Sequence, residues 1–175
     1  LGAPAFKIAS FEAIDLKLIE YVASTNKPMI ISTGMANSDE IYEAIETAQD
    51  NGCKQLAILH CVSGYPAPVT DYNLRTIPDM IKSFDVVTGI SDHTLDNTTS
   101  IAAVSLGASI IEKHFTLDRN GGGPDDSFSL ELEDMANLCS GSKSAWSALG
   151  EINYERKASE ESNIKFRRSL YFIKD

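Results

Sequence analysis

Two stretches decide how this chain is read: Val86-Val87-Thr88-Gly89-Ile90-Ser91-Asp92-His93-Thr94 and, further on, Ser109-Ile110-Ile111-Glu112-Lys113-His114-Phe115. Each starts as a short apolar run of strand character and ends in a polar tetrapeptide carrying a histidine. Between them, Asn97 to Leu106 reads as a helix opened by a cap-like Asp96. Strand, helix and strand in that order make neighbouring parallel strands. Parallel neighbours lie about 4.8 Å apart. His93 and His114, at the carboxyl ends of adjacent strands, can therefore share one metal ion or one anionic substrate. In barrels and open α/β sheets that end carries the chemistry.

The same alternation runs along the rest of the chain. Ala5–Ser10, Pro28–Ser32 and Gln55–His60 read as further strands. Asp15–Ser24, Ser38–Asp50 (with Ser38 as its cap), Asn73–Phe84 (interrupted by Pro78) and Glu131–Leu149 read as helices. Apolar runs such as Met29-Ile30-Ile31 and Ala57-Ile58-Leu59 suit strands covered on both faces. Two architectures fit five such β/α units. One is a complete doubly wound sheet; the other is the carboxyl-terminal piece of a (β/α)8 barrel, a fold of about 250 residues. Pattern alone leaves both open. The chain has no initiator Met and enters a strand almost at once. It stops in another apolar run, Ser169–Asp175, so a fragment cut inside structure at both ends is expected.

Composition narrows the partners. The 175 residues are 43% hydrophobic, enough for one core. A net charge of −10 disfavours nucleic acid and anionic membrane surfaces. No apolar run approaches the roughly 20 residues of a membrane span. Cys53, Cys61 and Cys139 are odd in number and lack metal-site spacing, which suits reduced thiols and a cytoplasmic location.

Strand parity sorts the candidate site residues, because alternate side chains share a face. Gly89, Ser91 and His93 share one face, Glu112 and His114 share one, and Cys61 and Ser63 share one. His60 points the other way and reads as a packed histidine. Two neutral imidazoles leave open positions on a divalent ion, which could act as a Lewis acid. The alternative for both is a hydrogen-bonded structural role. Asp92 is either an outer partner of an imidazole or a cap on the following loop, since parity turns it from His93. Lys7 is a charge inside an apolar strand; buried, it would need an anion, and at a frayed edge it would be exposed. Ser10, Ser32 and Ser63 fall at strand ends, where hydroxyls can meet phosphate oxygens. Glu12 is a candidate general acid or base, or a surface acid. Asp125, after Gly121-Gly122-Gly123-Pro124, is a polyol contact or a turn residue; that glycine run reads as a flexible loop.

Six segments together resemble the sialic acid synthase family: Lys7-Ile8-Ala9-Ser10-Phe11-Glu12, Ile31-Ser32-Thr33-Gly34-Met35, His60 to Pro68, Ser91-Asp92-His93-Thr94-Leu95, Ile111-Glu112-Lys113-His114-Phe115 and Gly123-Pro124-Asp125. The resemblance covers essentially the whole chain. It implies an enzyme that condenses phosphoenolpyruvate with an amino-sugar aldehyde. It also implies a TIM (β/α)8 barrel, of which residues 1–150 would hold strands four to eight. A linker, 151–165, would then lead to the start of an antifreeze-like (SAF) domain at 166–175. By the same resemblance His93 and His114 bind a divalent metal, manganese or magnesium. Lys7, Ser10, Ser32 and Ser91 contact phosphoenolpyruvate, and Ser63 stands where some members have a contacting Asn. Glu12 matches an acid of the site, while Asp125 and Tyr65 match sugar-side residues. Full-length members form domain-swapped homodimers, so this piece alone is expected to be inactive. Within the family, Ser10-Phe11-Glu12 and Asp126-Ser127-Phe128-Ser129 are more similar to the pseudaminic acid synthases. Neuraminate or legionaminate synthesis, and a non-catalytic sugar-phosphate binding domain, are the alternatives.

Overall fold

The computed structural model describes residues 2–167 and 173–174. Five strands form one parallel sheet: β1 (Phe6–Ile8), β2 (Met29–Ser32), β3 (Leu56–Cys61), β4 (Val87–Asp92) and β5 (Ile111–Lys113). Their spatial order is β1-β2-β3-β4-β5. A doubly wound sheet reverses its strand order at a switch point, and this one never reverses. The sheet also curls. Laid flat, its two outer strands would stand about 19 Å apart, four gaps of roughly 4.8 Å, beyond the joint reach of a Lys and a Glu side chain. Yet Lys7 Nζ of β1 lies 3.1 Å from Glu112 Oε1 of β5. Sequential order and curvature together make a half-barrel.

Five helices cover the outside: α1 (Leu16–Ala23), α2 (Ser38–Asp50), α3 (Thr76–Phe84), α4 (Thr98–Ser105) and α5 (Leu132–Leu149). Their starts follow from local side-chain chemistry. Asp15 accepts the Leu18 amide at 3.1 Å to open α1. The cap of α2 is Asn37, not the expected Ser38: Asn37 and Glu40 bond each other's backbone in a reciprocal capping box. Pro78 does not interrupt a helix from Asn73. α3 begins only at Thr76, so Pro78 sits in the first turn, where no intrahelical amide bond is lost. At α4, Asp96 accepts the Thr98 amide at 2.7 Å, as its cap-like placement suggested.

The register divides the side chains cleanly. Lys7 pairs with Ile30, Ser32 with Leu59, Leu59 with Gly89, Cys61 with Ser91, and Ser91 with Glu112. These residues line the concave face. Ile8, Ile31 and Ile58 form the opposite row and pack with Ile19, Ala44 and Ile45 into the buried layer under α1 and α2. Gly89 marks a tight point inside: a Cβ there would lie 2.4 Å from the Ile110 carbonyl oxygen and 2.7 Å from Leu59 Cδ2. Only the bare glycine lets β5 approach β4 so closely.

After α5, residues 151–157 carry no regular structure, and Ala158–Phe166 forms a 3-10 helix in which only Ile164 is not exposed. The run 168–172 and residue 175 lie outside the described residues, and with them most of the expected start of a further domain. Among the described residues, no helix is long and apolar enough to cross a membrane.

Candidate functional site

The carboxyl ends of the five strands bring the sequence candidates together. Ser10 opens a 3-10 turn, Ser10–Glu12, directly after β1. Its Oγ accepts the Gly34 amide at 3.1 Å, tying the β1 loop to the β2 loop. A Cβ on Gly34 would lie 2.3 Å from Ser63 Oγ and 2.8 Å from Ser10 Oγ. Three backbone ends thus converge on one small polar cradle that only glycine leaves open. Two hydroxyls of this cluster of strand ends, Ser32 Oγ and Ser63 Oγ, are buried without a hydrogen-bond partner. Buried polar atoms are nearly always paired, so two orphans at one sheet end fit a place for an oxygen-rich ligand.

Of the two readings for Lys7, buried or exposed, the structure shows the exposed one. Its side chain is 32% exposed and its partner is Glu112, a residue the parity argument placed on the inward face without assigning it a role. Ser91 Oγ donates to the same Glu112 oxygen at 2.8 Å. One carboxylate oxygen therefore gathers a cation and a hydroxyl, the two donor types that would receive an anionic ligand. Glu12 is half-buried at the end of its 3-10 turn and has no ion-pair partner among the described residues.

His93 and His114 extend the inward rows of β4 and β5, with ring centroids 5.3 Å apart. His93 is 5% exposed and held at three points. Its Nδ1 lies 2.8 Å from the Val62 carbonyl, which can only accept, so in the neutral ring Nδ1 carries the proton and Nε2 keeps a lone pair. Its backbone amide donates to Tyr72 Oη at 2.7 Å, and that hydroxyl donates to the Ser91 carbonyl at 3.1 Å. Tyr65 lies over the His93 ring at 4.3 Å and reaches toward His114 at 5.9 Å. Phe128 closes the other side, 5.2 Å from His114. Asp125 Oδ2 lies 3.5 Å from His114 Nδ1, so its first visible partner is the imidazole.

The two imidazoles are tuned apart. Burial lowers the His114 pKa, and the neighbouring His93 charge lowers it further, against the pull of Asp125 and Glu112. For His93 burial acts the same way, but the Cys61 thiol, the Val62 carbonyl and nearby negative charge outweigh it and raise its pKa. Burial would raise the Cys61 thiol; hydrogen bonds with His93, Ser10 and Ser91 bring it below the usual value. Cys61 Sγ stands 4.0 Å from His93 Nδ1, a contact between neighbouring strands that the sequence did not assign. His60 faces away, as expected, and meets the Tyr72 carbonyl; burial depresses its pKa.

A divalent ion fits the pair in part. His93 offers a free Nε2, and Asp125 can orient His114 as carboxylates orient ligating imidazoles. No group of three or more His, Cys, Asp or Glu that could hold an ion occurs among the described residues. The chain would thus contribute two ligands, with the remaining positions left to water or substrate.

The outward face was underestimated from sequence. Asp92 does cap the following loop, accepting the Thr94 amide at 2.8 Å. It also forms a buried ion pair with Lys113 at 3.0 Å, the two side chains 0% and 2% exposed. The glycine loop is tied rather than free: Asp126 accepts from Gly123 N and from Thr116 Oγ1, each at 2.7 Å.

Comparison with known proteins agrees with this geometry. The sequence model of the NeuB family matches residues 1–154. The chain is 42% identical, over its whole length, to the N,N'-diacetyllegionaminic acid synthase of Campylobacter jejuni. It is 40% identical, also over its whole length, to the pseudaminic acid synthase of Helicobacter pylori. It spans 53% and 52% of those two relatives, about half of each. The solved N-acetylneuraminic acid synthetase of Leptospira borgpetersenii superposes with a TM-score of 0.85 at 34% identity, covering 97% of this chain and 59% of that one. The half-barrel, its inward histidine pair and its serine cradle accordingly sit in a sequence that belongs to the NeuB family.

Proposed function

We propose that the inward face at the carboxyl end of this sheet is part of the active site of a nonulosonic acid synthase, which condenses phosphoenolpyruvate with an amino-sugar aldehyde. The observation that carries this reading is the pair of orphaned buried hydroxyls, Ser32 and Ser63, on the sheet end that also holds His93 and His114. Lys7, Ser10, Ser32, Ser63 and Ser91 would hold the phosphate and carboxylate of phosphoenolpyruvate. Lys7 and Ser91 would exchange the Glu112 oxygen for a ligand oxygen. His93 and His114 would hold manganese or magnesium. The ion, when bound, supplies Lewis-acid polarisation of the aldehyde oxygen. Tyr65 and Asp125 would border the sugar, and Glu12 would move a proton. The methylene carbon of phosphoenolpyruvate forms the new carbon–carbon bond to the aldehyde carbon. Positive charge develops at the phosphate-bearing carbon, water adds there, and the carbon–oxygen bond to phosphate breaks.

For the sugar, we propose the diacetamido-trideoxy-altrose of pseudaminic acid synthesis. Phe11 directly follows Ser10 and is 63% exposed; its apolar ring would border the cradle. Such a ring suits a sugar that ends in a methyl group. Legionaminate synthesis is the second reading, favoured by the 42% identity to a legionaminic acid synthase. We further propose that the chain is the fourth to eighth strand of a full barrel (residues 1–150), with a linker over 151–165 and a SAF domain from 166. A domain-swapped homodimer in the cytoplasm would complete the site.

The test uses the protein at the length of its relatives, with manganese, following phosphate release from phosphoenolpyruvate. Release with the altrose derivative alone supports the pseudaminate reading. Release with the legionaminate precursor or N-acetylmannosamine instead moves the substrate. Absence of release with all three contradicts the synthase reading and leaves a non-catalytic binding domain.

A further inference from the structure

Asp92 and Lys113 are direct register partners at the last rung of the β4–β5 ladder. The next residue on each strand is a histidine of the candidate metal pair. Both charged side chains leave the sheet on the face opposite the histidines, and both are enclosed, at 0% and 2% exposure. Every strong bonding position there is used. Lys113 Nζ donates to Asp92 Oδ2 at 3.0 Å, to the Thr94 carbonyl at 2.8 Å and to the Asp96 carbonyl at 2.7 Å. Asp92 also accepts from Ser100 Oγ on α4 and from the Thr94 amide. A single ammonium thus fastens the whole turn 92–96 to β5.

Energy alone does not account for this arrangement. Apolar residues of similar volume commonly replace a buried ion pair with no loss of stability. An apolar pair, though, would be free to slide. Three short, directed bonds from β5 fix where β4 ends and how its turn leaves, and both histidines hang from that junction.

We propose that Lys113 and Asp92 are positioning residues that set the separation and orientation of His93 and His114 for a shared divalent ion. This rests on the proposed metal role of the two histidines. Neither side chain touches the ion or substrate; they act through the backbone of the adjacent rung.

The test is Mn2+ affinity, read by electron paramagnetic resonance of the free ion, in the protein at the length of its relatives. The double variant D92N/K113M removes both charges together, leaving no buried charge unpaired. The expected result is a protein that still folds, with a lowered unfolding midpoint because the Thr94 and Asp96 carbonyls lose their donor, and with Mn2+ affinity weakened about 10–100-fold, the range for lost outer partners of metal ligands. K113R, which keeps a cation beside Asp92, should retain most of the parental affinity. Parental affinity in the folded double variant overturns the proposal. If the double variant does not fold, S100A decides: it frees one Asp92 contact and should weaken Mn2+ binding two- to threefold, and unchanged affinity overturns the proposal. A failure of the underlying reading looks different. The parent itself would then show no Mn2+ binding that His93→Ala abolishes.

Discussion

The two faces at the carboxyl end of this sheet both carry polar residues, yet they end in opposite states. Outward, Asp92, Lys113, Thr94 and Ser100 satisfy one another in a closed network. Inward, Ser32 and Ser63 hold buried hydroxyls with no partner, and Lys7 and Ser91 share a single carboxylate oxygen. A closed network needs nothing further and belongs to the architecture. An open one, at the sheet end where α/β folds place their chemistry, is where the proposed ligand would bind. Polarity alone does not mark a site, and neither does an unpaired atom alone, since Asn97 Oδ1 and Ser142 Oγ on the helical layer are unpaired too; the inward pair stands out because both atoms sit at the carboxyl end of the sheet.

Variants on the two faces should therefore differ in kind. Lys113→Ala strands a buried carboxylate and should cost about 3–5 kcal/mol, read by chemical denaturation. A loss below about 1 kcal/mol would mean that the outward network is not the structural face. Tyr72→Phe removes the hydroxyl that joins the Ser91 carbonyl to the His93 amide and should cost about 1–3 kcal/mol by leaving buried backbone groups unpaired. Gly89→Ala should cost a similar amount, about 1–3 kcal/mol, because β5 must shift to admit the methyl group. Ser32→Ala is the inward counterpart: it deletes an atom with no partner, so stability should stay within about 0.5 kcal/mol of the parent. Phosphoenolpyruvate affinity, measured by calorimetry, should nevertheless fall.

The smallest effect concerns the glycine loop. Hydrogen bonds from Thr116 and then Gly123 hold the Asp126 carboxyl below its usual pKa. A carboxylate depressed in the folded state stabilises above its unfolded pKa and loses that contribution as pH falls through the folded value. Loop amides near Gly123 should thus exchange faster with solvent only in acid, below the ordinary carboxylate range. Exchange unchanged by Asp126→Asn at neutral pH would show that the carboxylate does not tie the loop.

Much of the fold was legible because period-2 and period-3.6 patterns alternate without conflict along the chain. Parity grouped Ser91 with His93, Glu112 with His114, and set His60 apart; the register pairs Ser91 with Glu112 and His60 with Ile90. Strand order was not legible, since one β/α pattern serves a barrel and a doubly wound sheet alike. The roles of Lys113 and Glu112 were hidden for a related reason. Each partner lies on another strand, 21 residues away for Asp92 and on the far edge of the sheet for Lys7. Cap identity failed at Ser38 because Asn37, Ser38 and Asp39 are all good caps, and only the reciprocal bond with Glu40 separates them.

The most direct test of the central claim is phosphate release from phosphoenolpyruvate and the amino-sugar aldehyde, in the protein at the length of its relatives. The parent is set against His93→Ala and His114→Ala across a manganese titration. The account predicts manganese-dependent release in the parent and its near-complete loss in both variants, with their folded state intact. Undiminished release in either variant would contradict it.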